Sequence, residues 1–206
     1  MRRTSLTSRA AASASLGAAL ILVLGGAASA ARKPHWTWRS LHRPLHIPQL
    51  AAGAPCPLSP KTKVDLGQEG VLALPGRGPA YPNFGDAKRV LEFWWPPLPQ
   101  QTDFYGTGWS GNKVLWWVSG RYRGPVLIRG RQLDGPHLLR FEVGKPPPAE
   151  MRIGPGRGLR SRKGARDHPS YTRVEAAGCY GYQVDVIGFS RVIVFQAVQV
   201  PPPPQP

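Results

Sequence analysis

Short apolar runs alternate with turn residues along most of this chain. Val71 to Leu74, Val90 to Trp95, Lys113 to Val118, Pro125 to Arg129, Leu138 to Val143, Glu150 to Ile153, Tyr171 to Glu175, Cys179 to Asp185 and Ser190 to Val200 are each rich in β-branched, aromatic or aliphatic residues, the composition of strands. The intervals hold Pro75-Gly76, Trp109-Ser110-Gly111-Asn112, Ser119-Gly120, Leu133-Asp134-Gly135-Pro136 and Ile187-Gly188, which suit tight turns. No amphipathic helical stretch is longer than about two turns, and there is no internal repeat. About eight or nine short strands at this spacing predict an all-β chain, an antiparallel β-sandwich over residues 63–200.

The flanks read differently. Residues 31–62 follow neither a period of 2 nor one of 3.6, and Pro34, Pro44, Pro48, Pro55, Pro57 and Pro60 exclude a regular helix. An extended Pro-rich arm is expected there. Residues 201–206 predict a polyproline II tail.

Residues 1–30 have the layout of a signal peptide. Arg2, Arg3 and Arg9 form a positive start, Leu16 to Leu24 an apolar run, and Ala28-Ser29-Ala30 a cleavage site. The expectation is export to the extracellular space or cell envelope, with cleavage near Ala30/Ala31. A retained membrane anchor is the rival, because no charge interrupts Ala10 to Ala31, but Ala, Ser and Gly dominate that stretch. Arg2-Arg3 also leaves the twin-arginine route open beside the general one.

Export changes the reading of the two cysteines. In an oxidising compartment Cys56 and Cys179 have only each other to pair with, so a disulfide is expected.

Ala176-Ala177-Gly178-Cys179-Tyr180-Gly181-Tyr182 resembles the entry to strand F of immunoglobulin-like domains. The resemblance puts Tyr180 at the tyrosine corner, its hydroxyl bonding to backbone upstream, and Tyr182 where antibody domains carry a core cysteine. Gln183 to Phe195 then reads as the closing F–G hairpin. Since side chains alternate along a strand, Cys179 faces away from Tyr180 and Tyr182, and its disulfide would staple the arm to the outside of the sheet. Trp116 or Trp117 could supply the buried indole. Leu41-His42-Arg43-Pro44-Leu45, Gly53-Ala54-Pro55-Cys56-Pro57 and Arg123 to Gly135, with the same hairpin, also resemble an uncharacterised family of secreted bacterial proteins with an immunoglobulin-like domain. That resemblance implies export and the fold, and no activity.

Charge and aromatic residues supply the functional candidates. The formal net charge is +16, or 16 − 3 = +13 without the three signal arginines. Arg152, Arg157, Arg160, Arg162, Lys163, Arg166 and Arg173 crowd a Gly-rich stretch and form an anion-binding candidate. Trp94, Trp95, Trp109, Trp116 and Trp117 are aromatic-contact candidates, because in an adjacent pair on a strand one ring faces the core and the other faces out.

Catalytic and cofactor signals are thin. Ser110 sits in a turn-like context without a nucleophile elbow, Asp167-His168 reads as a local charge contact, and Pro44 breaks the i, i+4 relation of His42 and His46. No metal, nucleotide or other cofactor is expected. The expectation is a non-catalytic binding protein for an anionic cell-wall polymer, a glycan or an acidic protein. The alternatives are a cell-wall-acting hydrolase, which requires two converging carboxylates, and a structural subunit of a surface assembly.

Overall fold

The computed structural model describes residues 36–51, 53–67, 70–85, 88–156 and 165–202, so the expected signal peptide and the end of the tail lie outside the described residues. Alternating apolar positions build strands β1 (Lys61–Asp65), β2 (Val71–Pro75), β3 (Ala80–Asn83), β4 (Val90–Phe93), β5 (Ser110–Val118), β6 (Val126–Gln132), β7 (Arg140–Phe141), β8 (Met151–Ile153), β9 (Arg166–Val174), β10 (Gly178–Val186) and β11 (Phe189–Gln199). One helical turn, α1 (Trp38–Leu41), precedes them. The strands form a five-stranded sheet in the order β4-β11-β10-β6-β8, a four-stranded sheet β3-β5-β9-β7 and the pair β1-β2. All pairings are antiparallel except β11 with β4.

The all-β expectation holds, with eleven strands among the described residues in place of eight or nine. The two additions are β1 and β3, and the strand expected at Tyr171 to Glu175 extends back to Arg166 as β9. Pro82 in β3 and Pro169 in β9 hid those stretches from a propensity reading. β3 is an edge strand, and β7 pairs only with Thr172 and Arg173, leaving β9 at an edge where Pro169 lies. Sheet edges are where proline is tolerated. Ser110, expected in a turn, instead opens β5, fully buried, and its hydroxyl donates to the Trp94 carbonyl over 2.5 Å. Gly111 beside it has φ +154°, and a Cβ there would stand 2.0 Å from the Thr172 carbonyl oxygen, so only glycine lets β5 and β9 close at this point.

The main core lies between the two larger sheets. Tyr180, Tyr182, Val184 and Val186 occupy alternate positions of β10 and all point into it. Trp116 of β5 meets Tyr182 edge-on from the opposite sheet at 5.0 Å, and Phe195 of β11 stacks on Tyr182 at 4.5 Å. The Tyr182 hydroxyl shares a 2.7 Å hydrogen bond with Thr172 of β9, and the Tyr180 hydroxyl donates to the Ala176 carbonyl at 2.9 Å. Both buried phenols are thereby satisfied, as a desolvated hydroxyl must be. The Tyr180 bond ties down the turn before β10.

The Trp116-Trp117 pair does face opposite ways, but neither ring is exposed. Trp117 is only 3% exposed, because the β1-β2 pair places Val64, Leu66 and Leu74 over it, with Tyr81 and Ala165 alongside. Alternation put this indole on the outer face, and an element unforeseen in the pattern then covered that face.

The arm runs along the outer face of the five-stranded sheet. Ile47 lies over Gly181, where a Cβ would come within 2.9 Å of it. Backbone bonds fasten the path: Leu50 N–H donates to Leu133 O at 2.7 Å and Ser59 N–H to Val194 O at 3.0 Å. Cys56 and Cys179 form a disulfide with a Cα–Cα distance of 5.4 Å and a sequence separation of 123. Cys179 belongs to a cluster with Ile47, Leu133 and Val194, on the side of β10 away from Tyr180 and Tyr182. The staple on the outer face is therefore as expected, and the bond points to an oxidising setting.

The loop closed by that bond is long, so replacing Cys56 and Cys179 together by serine is expected to lower stability by up to about 5 kcal/mol. Denaturant midpoints measure the loss, and hydrogen exchange should place it first in the arm. An unchanged midpoint would contradict it. A second expectation concerns alkali. Burial raises the pKa of both Tyr180 and Tyr182 above the ordinary 10.0, so each favours the fold while protonated. Their contribution is complete below about pH 10 and lost as pH rises beyond it. Ultraviolet titration should show these two phenols ionising only as the protein unfolds; early ionisation in the folded state would contradict their burial.

Candidate functional site

The site is built from the start of the arm and the edge strand β8. Thr37 and Ser40 cap α1 reciprocally: Ser40 N–H donates to Thr37 Oγ1 at 3.0 Å and Thr37 N–H to Ser40 Oγ at 2.9 Å. Leu41, 1% exposed, anchors the turn. In β8, Met151 and Ile153 are buried and Arg152 between them points outward. Its guanidinium lies 5.3 Å from the Trp38 ring, in cation–π range, and Trp36 meets Trp38 edge-on at 5.3 Å. Trp38, Arg39, His42, Glu150 and Arg152 enclose a surface cavity of about 400 Å³.

A polar relay links this cavity to the interior. Asp185 of β10 is fully buried and accepts from Arg129 Nη2 at 2.6 Å, Gln183 Nε2 at 3.0 Å and Ser190 Oγ at 2.5 Å. Arg129, 7% exposed, also donates to the Arg43 carbonyl and to His42 Nδ1 at 3.3 Å. With Nδ1 accepting, the His42 proton sits on Nε2, where it reaches Glu150 Oε2 at 3.1 Å. Glu150 in turn binds Arg152 at 2.5 Å. Two guanidiniums against one carboxylate leave the cavity with one surplus positive charge, counting His42 as neutral.

The seven cations grouped from the sequence have separate fates. Arg152 lies at the cavity. Arg157, Arg160, Arg162 and Lys163 fall outside the described residues. Arg166 and Arg173 are a correction, for neither is a surface ligand. Arg166, 5% exposed, donates to the carbonyls of Gly154 and Gly124, and so joins the two ends of the segment that carries the other four. Arg173, 0% exposed, donates to Thr107 Oγ1 at 2.8 Å, Trp109 O at 3.1 Å and Glu142 O at 3.1 Å. Burial lowers its pKa to about 10, so it keeps its charge at neutral pH. Adjacency in sequence grouped these residues; strand alternation separated them.

The tryptophans likewise divide. Trp116 and Trp117 are interior, a correction to their candidacy as contact residues. Trp94 and Trp109 are half-buried, with the Arg140 guanidinium 5.6 Å from the Trp109 ring, and Trp95 is exposed. Trp38 was not among the candidates, because the arm around it has no period to place it on a face. Gln183 and Asp185 were also missed. Glycine at position 181, in mid-strand between outward-facing Cys179 and Gln183, was the available signal that another chain segment lies close.

Other cavities among the described residues include one lined by Lys63, Asp65, Tyr81 and Arg121 with neighbours and one beside Tyr171. Each of the three contains one carboxylate, Glu150, Asp65 or Asp103, so none brings together the pair a glycosidase requires. His168 contacts Glu142 at 3.3 Å, and no three His, Cys, Asp or Glu side chains among the described residues converge as metal ligands. Among the same residues no helix is long and apolar enough to cross a membrane. Comparison with family models, curated proteins and solved structures yields no match.

Removing one member of a buried ion pair leaves the other unpaired, so Asp185→Ala is expected to lower stability by about 3–5 kcal/mol. Hydrogen exchange at His46, whose N–H is held by Gln183 Oε1, should quicken in the same variant. Normal stability with slow exchange would show that the relay does not hold the arm.

Proposed function

We propose that this is an exported, non-catalytic binding protein that holds an anionic envelope polymer where the arm meets β8. The observation that carries the reading is the stack of Arg152 on Trp38 beside Arg39, which joins cations from two distant parts of the sequence on one surface. Chain continuity adds to it: Arg157, Arg160, Arg162 and Lys163 follow Arg152 with no acidic residue between 153 and 166. A polyanion could lie along the Arg39 and Arg152 guanidiniums, and the indole face offers apolar contact to its backbone or sugar rings.

The scaffold is read as immunoglobulin-like. The order β3-β5-β9-β7 matches strands A-B-E-D of that fold and β11-β10-β6 matches G-F-C. Trp116 and Tyr182 then stand where antibody domains bridge the sheets by a disulfide. The tyrosine-corner bond of Tyr180 supports the same assignment. One departure is that β7, in the D position, precedes β8, which pairs with the C strand.

Binding to isolated cell walls and to immobilised dextran sulfate across a salt series tests the function. Retention should fall steeply as salt rises. Arg39→Gln combined with Arg152→Gln should weaken binding about tenfold at low salt, or about 1.4 kcal/mol. Binding that ignores salt, or that the double variant leaves intact, would overturn the electrostatic reading.

A further inference from the structure

A second surface of the molecule has a different chemistry. The chain from Leu98 to Thr107 winds through turns in which Gln101 N–H donates to Leu98 O, and Phe104 and Tyr105 N–H both donate to Gln101 O. Gln101 Oε1 accepts from Leu98 N–H at 3.0 Å and closes the first turn. This segment is anchored by a single buried residue. Phe104, 5% exposed, is gripped between the Arg173 guanidinium, 4.1 Å from its centroid, and the edge of Tyr171, 5.2 Å away at 89°. Arg173 also holds Thr107, where the segment ends. Burying a guanidinium is costly, the nearby Asp103 carboxylate offsets part of that cost, and the buried group fixes a loop whose other side chains are at least partly exposed.

Between that loop and the β5-β9 ladder lies a cavity of about 350 Å³, at the small end of the range for ligand pockets. Its polar walls are Gln100, Gln101, Asp103, Asn112 and Lys113, and Tyr171 supplies an aromatic side. Asn112 is locked: its Nδ2 donates to the Glu92 carbonyl at 3.0 Å and its Oδ1 accepts from the Lys113 N–H at 2.7 Å. The amides carry paired donors and acceptors, Asp103 accepts and Lys113 donates. Asp103 and Lys113 cancel, so in a chain of net charge +16 this cavity is formally neutral, while each of the other two carries surplus positive charge. Planar amides and a carboxylate beside an aromatic ring, without excess charge, fit a ligand with adjacent hydroxyls on an apolar ring.

We propose that this cavity binds a neutral saccharide, with the ring against Tyr171 and hydroxyls on Gln100, Gln101 and Asp103. The site is separate from the cationic one and does not depend on it. A mono- or disaccharide unit suits the volume, and the Arg173 anchor makes the loop a preformed wall, which limits the ordering that binding would demand.

The test is titration of the full chain with cellotetraose and with N-acetylchitotetraose, following the side-chain amide signals of Gln100, Gln101 and Asn112. Saturable shifts are expected with a Kd of about 1 mM for at least one sugar. The affinity should not change with salt, in contrast to polyanion binding. Gln100→Ala with Asp103→Ala, both exposed positions, should weaken it at least about tenfold while the rest of the spectrum stays native. Tyr171→Phe keeps the ring and should bind nearly as the parent, whereas Tyr171→Leu should lose the sugar. The proposal is overturned if neither sugar moves these signals, if the affinity falls with salt, or if the double variant binds normally.

Discussion

Asp185 is the constraint around which the outer half of the structure is arranged. A carboxylate with no solvent exposure must be fully partnered, and the partners come from β6, β10, β11 and the arm. The donors that serve it also need acceptors for their remaining hydrogens. Arg129 finds one in the Arg43 carbonyl, and Gln183 finds one in the Pro44 carbonyl at 2.9 Å. The arm is thus required by the polar chemistry of the sheet at one end, while the disulfide secures it at the other. Between those points Ile47 and Leu50 cover what remains. An antiparallel sheet commonly has one wet face; this one is dry on both along β10.

Arginine has two distinct uses in this chain, which net charge cannot distinguish. Arg129, Arg166 and Arg173 each reach backbone carbonyls from interior positions, and each holds an irregular segment onto the sandwich-like body. The planar fork with five donors is suited to gathering several carbonyls at once. Among the described residues, exposed arginines such as Arg39 and Arg152 remain available to an external anion. The surface is therefore less cationic than composition implies, and its charge is local.

Most of the strands, and the disulfide with its outward placement, were legible because each rests on period-2 alternation or on there being only two cysteines. Pro82 masked β3 and Pro169 the first part of β9, where an edge position makes those prolines harmless. Trp117 shows the limit of alternation: parity gives the face of the sheet but says nothing about what covers it. The relay from Asp185 to Glu150 joins residues from β6, β10, the arm and the residue before β8, and no local pattern announces a contact between segments so far apart. Arg173 was misjudged for the opposite reason, since proximity in sequence to other cations suggested a shared role that its burial rules out.

The parallel pairing of β4 with the end of β11 closes a gap that a protein so rich in strands must close. β11 is the longest strand, and an unpaired margin of that length would be a template for a second chain. β4 occupies it opposite Gln196 to Gln199, and Ser59 of the arm bonds to Val194 from both sides of its peptide. Among the described residues the margins of the two larger sheets are short or interrupted: β7 has two residues and leaves a stretch of β9 that contains Pro169, β8 has three, β3 contains Pro82, and β4 gives way within three residues to Pro96-Pro97. The two larger sheets are in this respect self-terminating: along their described margins, proline and brevity interrupt the seam on which one molecule could zip onto the next.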